Sequence, residues 1–163
     1  MLVNKLVKIK KIFKNVVKAV NYAHLMNVSH RDLKLDNILI NGEGVVKLID
    51  FGFAVYRKDP KQLIQNFCGT PTYMSPEIIK REAYDPNKAD IWALGVLIYK
   101  LVVGRYPFKG KDDKELYSKI TSASFRIPKG LPVELSILFE KIFVIDPQER
   151  ISAVDILLCE WFD

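Results

Sequence analysis

The chain has 163 residues, 49% hydrophobic and 27% charged, which is the composition of one soluble globular domain large enough for a single substantial core. Its net charge of +6 comes from lysines dispersed along the chain with no arginine–aromatic stripe, a pattern of solvated surface that argues against a nucleic-acid partner. The two cysteines, Cys68 and Cys159, cannot build a disulfide framework or a zinc site alone; with no signal-like start in residues 1–14 and no apolar run long enough to cross a bilayer, they point to the cytoplasm, the nucleus being the other reducing compartment.

Apolar residues recur at helical spacing through Leu2, Leu6, Ile9, Ile12, Phe13, Val16, Val17 and Val20, while Lys5, Lys8, Lys11, Lys14 and Lys18 fill much of the other face. The spacing predicts an amphipathic helix over residues 2–25. Core packing with a wet lysine face is the commoner use of such a helix; a membrane-surface or calmodulin-target helix carries the same pattern. Short apolar runs at 38–40 and 45–49 flank Asn41-Gly42-Glu43-Gly44 and predict a compact β-hairpin. Residues 53–73 hold charge, Pro60, Gly69 and Pro71 without any period, so they read as a long loop, and loops of that length inside a domain are usually functional. Residues 91–103 are apolar almost all round, the mark of a buried helix, which Gly104 and Pro107 end. Helices at about 112–121, 133–143 and 152–159 follow, joined by turns with Pro128, Gly130, Pro132 and Pro147.

Four ordered motifs lie on this frame: His30-Arg31-Asp32-Leu33-Lys34-Leu35-Asp36-Asn37, then Asp50-Phe51-Gly52, Ser75-Pro76-Glu77, and Asp90-Ile91-Trp92 with Gly95. Together they resemble the catalytic loop, metal tripeptide, activation-segment end and central helix of eukaryotic-type protein kinases, across essentially the whole chain. The third motif has Ser75 where the family usually has Ala. Lys34 and Thr70 place the resemblance in the serine/threonine branch, and Leu35-Asp36-Asn37 with Gly69-Thr70-Pro71-Thr72-Tyr73 looks like its calmodulin-dependent and AMP-activated types. The fold this implies is mainly α, a kinase carboxy-terminal lobe with a small β-hairpin at the catalytic loop and no amino-terminal-lobe sheet. Residues 1–163 then form a partial protein kinase domain.

Phosphoryl transfer passes through a loose transition state, so the protein mainly positions groups and neutralises charge. By the resemblance, Asp32 accepts and orients the substrate hydroxyl; with an ordinary pKa near about 3.9 it orients more than it abstracts. Lys34 supplies positive charge beside the transferring phosphate of ATP, and Thr70 bonds both Asp32 and Lys34. Asn37 and Asp50 are the ligands for Mg²⁺, which needs few protein oxygens beside phosphate and water. Leu39, with Ile38 and Ile40, matches the floor beneath adenine. Each has a plainer reading: Asp32 and Thr70 as loop hydrogen-bonders, Asn37 and Asp50 as turn formers, and 38–40 as a core strand. The function implied is ATP- and Mg²⁺-dependent transfer to a serine or threonine of a protein substrate, with the regulatory partner unspecified. The alternative is a kinase-like docking or regulatory module without catalysis; Asp32, Asn37 and Asp50 together favour the enzyme.

The resemblance also implies architecture. Glu77 and Arg150 match a buried ion pair, and His30 with Phe51 the lower part of a hydrophobic stack anchored by Asp90. The family's glycine-rich loop, its nucleotide-binding lysine and the glutamate partner of that lysine are not in the 163 residues. Isolated, the chain is therefore expected to have little or no activity, being either a fragment of a full kinase or a natural short form. Asn66 occupies the position three before Gly69 where a phosphorylated Ser or Thr commonly sits, and between Phe53 and Cys68 only Tyr56 carries a hydroxyl. Activation by phosphate at that position is not expected; Asn66 bonding Arg31 directly, or control from elsewhere, are the alternatives. Phe53 resembles kinases that prefer serine, and Asp36 those that favour upstream basic residues.

Overall fold

Leu2–Leu25 forms one continuous helix, α1. The computed structural model describes residues 2–163, with side chains from Lys5 onward, so Leu2 of the predicted stripe lies outside the described side chains. Ile9, Phe13, Val16, Val17 and Val20 are buried in the main core, while Lys5, Lys8, Lys11 and Lys18 are exposed. The apolar stripe of α1 is thus a core face, as its spacing indicates.

Two small antiparallel sheets follow. Strand β1 is Val28–Ser29, β2 is Ile38–Ile40, β3 is Val46–Leu48 and β4 is Val55–Tyr56. Strands β2 and β3 pair with Ile38 opposite Leu48 and Ile40 opposite Val46. Their turn closes on Asn41, whose carbonyl accepts from Gly44 N (2.9 Å) and whose side-chain oxygen accepts from Val45 N (2.8 Å). Gly44 has φ 81°, a left-handed conformation that costs glycine little. The predicted hairpin is therefore present, one residue shorter at each end of its second strand. Strand β4 corrects the reading of 53–73 as wholly irregular: it pairs with β1, Val28 opposite Tyr56 and Ser29 opposite Val55.

The remaining elements are helical. A short helix α2, Pro76–Ile79, leads to α3, Pro86–Val103, which runs through the centre of the core. Helix α3 starts five residues before the apolar run of 91–103 because Asp85 caps it, accepting from Asn87 N (3.0 Å) with Pro86 in the first turn. Gly104, φ 79°, ends it. Helices α4, Asp113–Thr121, α5, Val133–Ile142, and α6, Ala153–Leu157, pack around this axis. Helix α6 is shorter than predicted, because the chain turns at Cys159 into a 3-10 turn, Glu160–Phe162. That turn lays Trp161 and Phe162 against Phe13 of α1, with ring centroids 6.0 and 6.1 Å apart. The fold is mainly α, and among the described residues the only sheets are the two small pairs.

Gly95 marks the closest approach in the core. A Cβ there would lie 2.3 Å from Ile142 Cγ2 and 3.0 Å from the Phe143 ring, so α3 and α5 meet where only hydrogen fits. Gly95→Ala should destabilise the chain by about 1–3 kcal/mol through overpacking, despite alanine's better helix propensity, as read by urea unfolding. A stability gain would show that α5 can yield at this contact.

Candidate active site

The site is built outward from α3. Asp90, buried on that helix, accepts from His30 N and Arg31 N (both 2.8 Å) and meets His24 Nε2 at 2.8 Å. One carboxylate therefore fixes the backbone where α1 and β1 give way to the 30–37 loop. Arg31 sits at φ 66° there, a strained conformation held by its surroundings. His30 Nε2 donates to the Ile49 carbonyl (3.0 Å), and its Nδ1 accepts from Asp32 N (3.2 Å). A single tautomer, protonated on Nε2, serves both contacts.

Asp32 is the hub of the loop. Its Oδ1 accepts from Thr70 Oγ1 (2.9 Å), and its Oδ2 accepts from Lys34 Nζ (2.7 Å) and more weakly from Asn37 Nδ2 (3.3 Å). Lys34 Nζ also donates to Thr70 Oγ1 (3.3 Å), and Asn37 Nδ2 to the Asp32 carbonyl (2.8 Å). Four of the residues singled out from the sequence therefore form one bonded cluster drawn from segments 38 residues apart.

Burial, the largest single influence on Asp32, pushes its carboxyl up. The Lys34, Thr70 and Asn37 hydrogen bonds and the Lys34 charge outweigh it, leaving the pKa below its ordinary value. Lys34 is held above its ordinary value, first by its bond to Asp32. A depressed carboxylate adds stability that is present above the unfolded-state value of about 3.9 and lost as pH falls through the lower folded one. Lys34→Met should accordingly raise the Asp32 pKa, moving this loss to higher pH, as followed by the carboxyl carbon in an NMR titration. An unmoved or lower pKa would mean that Lys34 is not the dominant partner.

Asp50 is reached through the hairpin. Ile49 N donates to the Asn37 carbonyl (3.0 Å), which brings the residue after Ile49 beside the cluster, and the Asp50 charge contributes to the raised pKa of Lys34. Asp50 has φ 60°, and its Oδ1 accepts from Gly52 N (3.2 Å). Phe51 then meets His30 edge-on, with centroids 4.7 Å apart. Leu39 stands apart from the cluster. It is 52% exposed on β2, and Ile40 is exposed too, so the plain core-strand reading holds only for Ile38.

The segment after Gly52 is tied down through its backbone carbonyls. Arg31 Nε donates to the Phe53 carbonyl (2.6 Å), and Arg31 NH1 to the Asn66 carbonyl (3.0 Å). Asn66 thus meets Arg31 through its main chain, and its carbonyl also accepts from Tyr84 Oη (3.0 Å). Farther on, Arg150 grips Glu77 with two bonds, NH1 to Oε1 at 2.8 Å and NH2 to Oε2 at 3.0 Å, both residues being buried.

Residues 3–162 match the family described as "Protein kinase domain". The chain belongs to the protein kinase family. It is similar to CBL-interacting serine/threonine-protein kinase 13 of Arabidopsis thaliana, 38% identical over 155 residues, covering 94% of this chain and 31% of the relative. CBL-interacting serine/threonine-protein kinase 5 of the same plant is 39% identical over 157 residues, covering 93% and 35%. CBL-interacting protein kinase 12 of Oryza sativa subsp. japonica is 37% identical over 155 residues, covering 94% and 29%. The chain spans about a third of the length of these curated relatives. The family, the serine/threonine type of its relatives and the helical architecture agree with a kinase carboxy-terminal lobe.

Two parts of this kinase lobe escape sequence reading. Arg57, 2% exposed, pairs through NH2 with Asp85 Oδ1 (2.9 Å) and through NH1 with the Gln62 carbonyl (2.9 Å), stapling the activation segment to the start of α3. In sequence it is one basic residue among several, with nothing to mark it as buried. Tyr106, after α3, meets Tyr73 edge-on at 5.8 Å, and burial, chiefly, together with the neighbouring Tyr106, pushes the Tyr73 hydroxyl above the usual phenol range. That link joins the Thr70 turn to the chain beyond α3.

Proposed function

We propose that this chain is the substrate-orienting part of an ATP- and Mg²⁺-dependent protein serine/threonine kinase, acting with a nucleotide-binding lobe that its 163 residues do not include. The observation that carries the reading is the cluster at Asp32, whose two carboxylate oxygens are held by Thr70 and Lys34. A carboxylate so fixed has its remaining lone pairs aimed by the loop and can accept the hydrogen bond of a serine or threonine hydroxyl. Lys34, a cation bonded to both Asp32 and Thr70, neutralises charge that develops on the transferring phosphoryl group.

The oxygen donors suit the metal. The Asn37 amide nitrogen is taken up by Asp32, which leaves the Asn37 Oδ1 for a cation, and the Asp50 carboxylate bonds only Gly52 N among the described residues. No group of three or more His, Cys, Asp or Glu gathers among the described residues. Two hard oxygen ligands are what Mg²⁺ takes when it keeps water and phosphate as its other ligands. Bound there, the ion supplies positive charge to the phosphate oxygens.

Phe53 and the exposed Asp36 support a serine acceptor with upstream basic residues. The names of the plant relatives say that they interact with CBL, and a protein regulator belongs to the proposal for this kinase as well. The free cysteines Cys68 and Cys159 support a cytoplasmic or nuclear setting. Labelled γ-phosphate transfer to a serine peptide tests the reading. The intact kinase should transfer it, Asp50→Asn should abolish metal-dependent transfer, and residues 1–163 alone should show little or none. Turnover by the isolated chain at the roughly 1–100 s⁻¹ of ordinary kinases would sink the division of labour proposed here.

A further inference from the structure

A second concave site lies beyond α3, away from the Asp32 cluster. It is a groove of about 410 Å³ lined by Arg105, Lys109 and Arg126 with Tyr99, Tyr106 and Phe125 among its walls. The three cations are exposed, and none of them has a carboxylate partner among the described residues. Lys119, at the same groove, is already neutralised by Glu115 at 2.6 Å.

The walls are tied to the core. Tyr99 Oη donates to the Arg126 carbonyl (2.7 Å), which holds that segment against α3. Phe125 packs on Phe143 with centroids 4.8 Å apart, and Lys100 Nζ sits 4.6 Å from the Tyr106 ring centre. Unpaired positive charge lining a concave wall whose backbone is tied to the core is complementary to an anionic chain. The groove is also joined to the catalytic cleft, because Tyr106 meets Tyr73, three residues after Thr70.

We propose that this groove docks an acidic segment of the protein substrate, outside the residues that flank the acceptor. The proposal rests on the kinase reading for the word substrate; the docking chemistry stands on the groove. Single-stranded nucleic acid fits less well, because it needs open aromatic faces for stacking, whereas Tyr106 is covered by Lys100 and abuts Tyr73. Charge reversal at an exposed basic site weakens each contact modestly, but several together in one groove should change affinity about tenfold.

The test is fluorescence anisotropy of a labelled glutamate-rich decapeptide, and of its glutamine counterpart, with the 163-residue chain. Arg105→Glu with Arg126→Glu should weaken binding of the glutamate peptide about tenfold and steepen nothing for the glutamine peptide, which should bind weakly throughout. Lys5→Glu with Lys8→Glu on α1 imposes the same charge change elsewhere and should leave binding within about twofold. If the groove reversal unfolds the chain by circular dichroism, Lys109→Gln with Arg126→Gln must show the loss instead. Equal loss in the α1 variant, equal binding of the glutamine peptide, or tighter groove-dependent binding of a single-stranded RNA would overturn the proposal. In the intact kinase, an acidic tract appended to an acceptor peptide should lower KM at unchanged kcat, and only when the groove is intact. Groove-dependent peptide binding without any phosphoryl transfer would support docking and count against the kinase reading alone.

Discussion

Asp32→Asn is expected to lower turnover of the intact kinase by about 10²–10⁴-fold, the span that a positioned acid–base group usually contributes, with nucleotide affinity within about twofold. The substitution keeps the size of the side chain and one oxygen, so contacts to Thr70 or Lys34 persist in part. What it removes is the second acceptor oxygen and the negative charge that a hydroxyl proton needs. Asp50→Asn should behave differently, because Asp50 bonds no side chain of the cluster and its proposed partner is the metal on the phosphates. Nucleotide titrations with and without Mg²⁺, beside single-turnover transfer, separate the two. Equal loss of nucleotide affinity in both variants would show that Asp32 belongs to the metal site and that the roles assigned here are wrong.

Arg150→Met should destabilise the chain by about 3–5 kcal/mol in urea unfolding. The residue is almost fully buried and serves more than Glu77. Its guanidinium donates to the Val144 carbonyl (3.1 and 3.0 Å) and the Lys88 carbonyl (2.7 Å), and stands 5.1 Å from the Trp92 ring. Removing it strands a buried carboxylate and the Val144 carbonyl, and stranded groups cost more than the lost bonds contribute. Arg150→Met with Glu77→Leu removes the stranded charge as well and should recover part of the loss. A double variant no better than the single one would place the cost in the carbonyls and the packing rather than in the Glu77 charge. For a domain whose whole stability is about 5–15 kcal/mol, the single change removes a large share of it.

The parts of this lobe that were legible from sequence are those with a local signal. The stripe of α1 repeats over more than five turns, and the runs around Asn41-Gly42-Glu43-Gly44 are bounded by turn residues. Asp32, Lys34 and Asn37 sit within one octapeptide, so their gathering follows from a single loop. Thr70 could be joined to them only through the family resemblance, and the structure does bring it to Asp32. Strands β1 and β4, two residues each, are too short to show an alternation. The start of α3 was missed, because the polar residues Asn87 and Lys88 hide its continuity with the apolar run. Arg57 with Asp85, Tyr106 with Tyr73 and the basic groove all depend on which distant segments meet. No period or spacing within a segment carries that information. Asn66 illustrates the finer limit: its approach to Arg31 was among the alternatives, yet its backbone and not its side chain makes the bond.

Asp90 has a consequence for how such a site comes into being. Its carboxylate joins positions 60 and 66 residues upstream, so the backbone of the 30–37 loop is set by a residue made long after it. On a ribosome, the loop is complete while the helix that shapes it is still unsynthesised. Contacts of such sequence separation form only after their loop entropy has been overcome, so the left-handed turn at Arg31 lacks its Asp90 anchor in a half-made chain. The octapeptide can leave the ribosome early, but the anchor of its first two residues arrives only with α3. A nascent or proteolysed piece ending before residue 90 carries every residue of the loop without the carboxylate that holds the His30 and Arg31 amides.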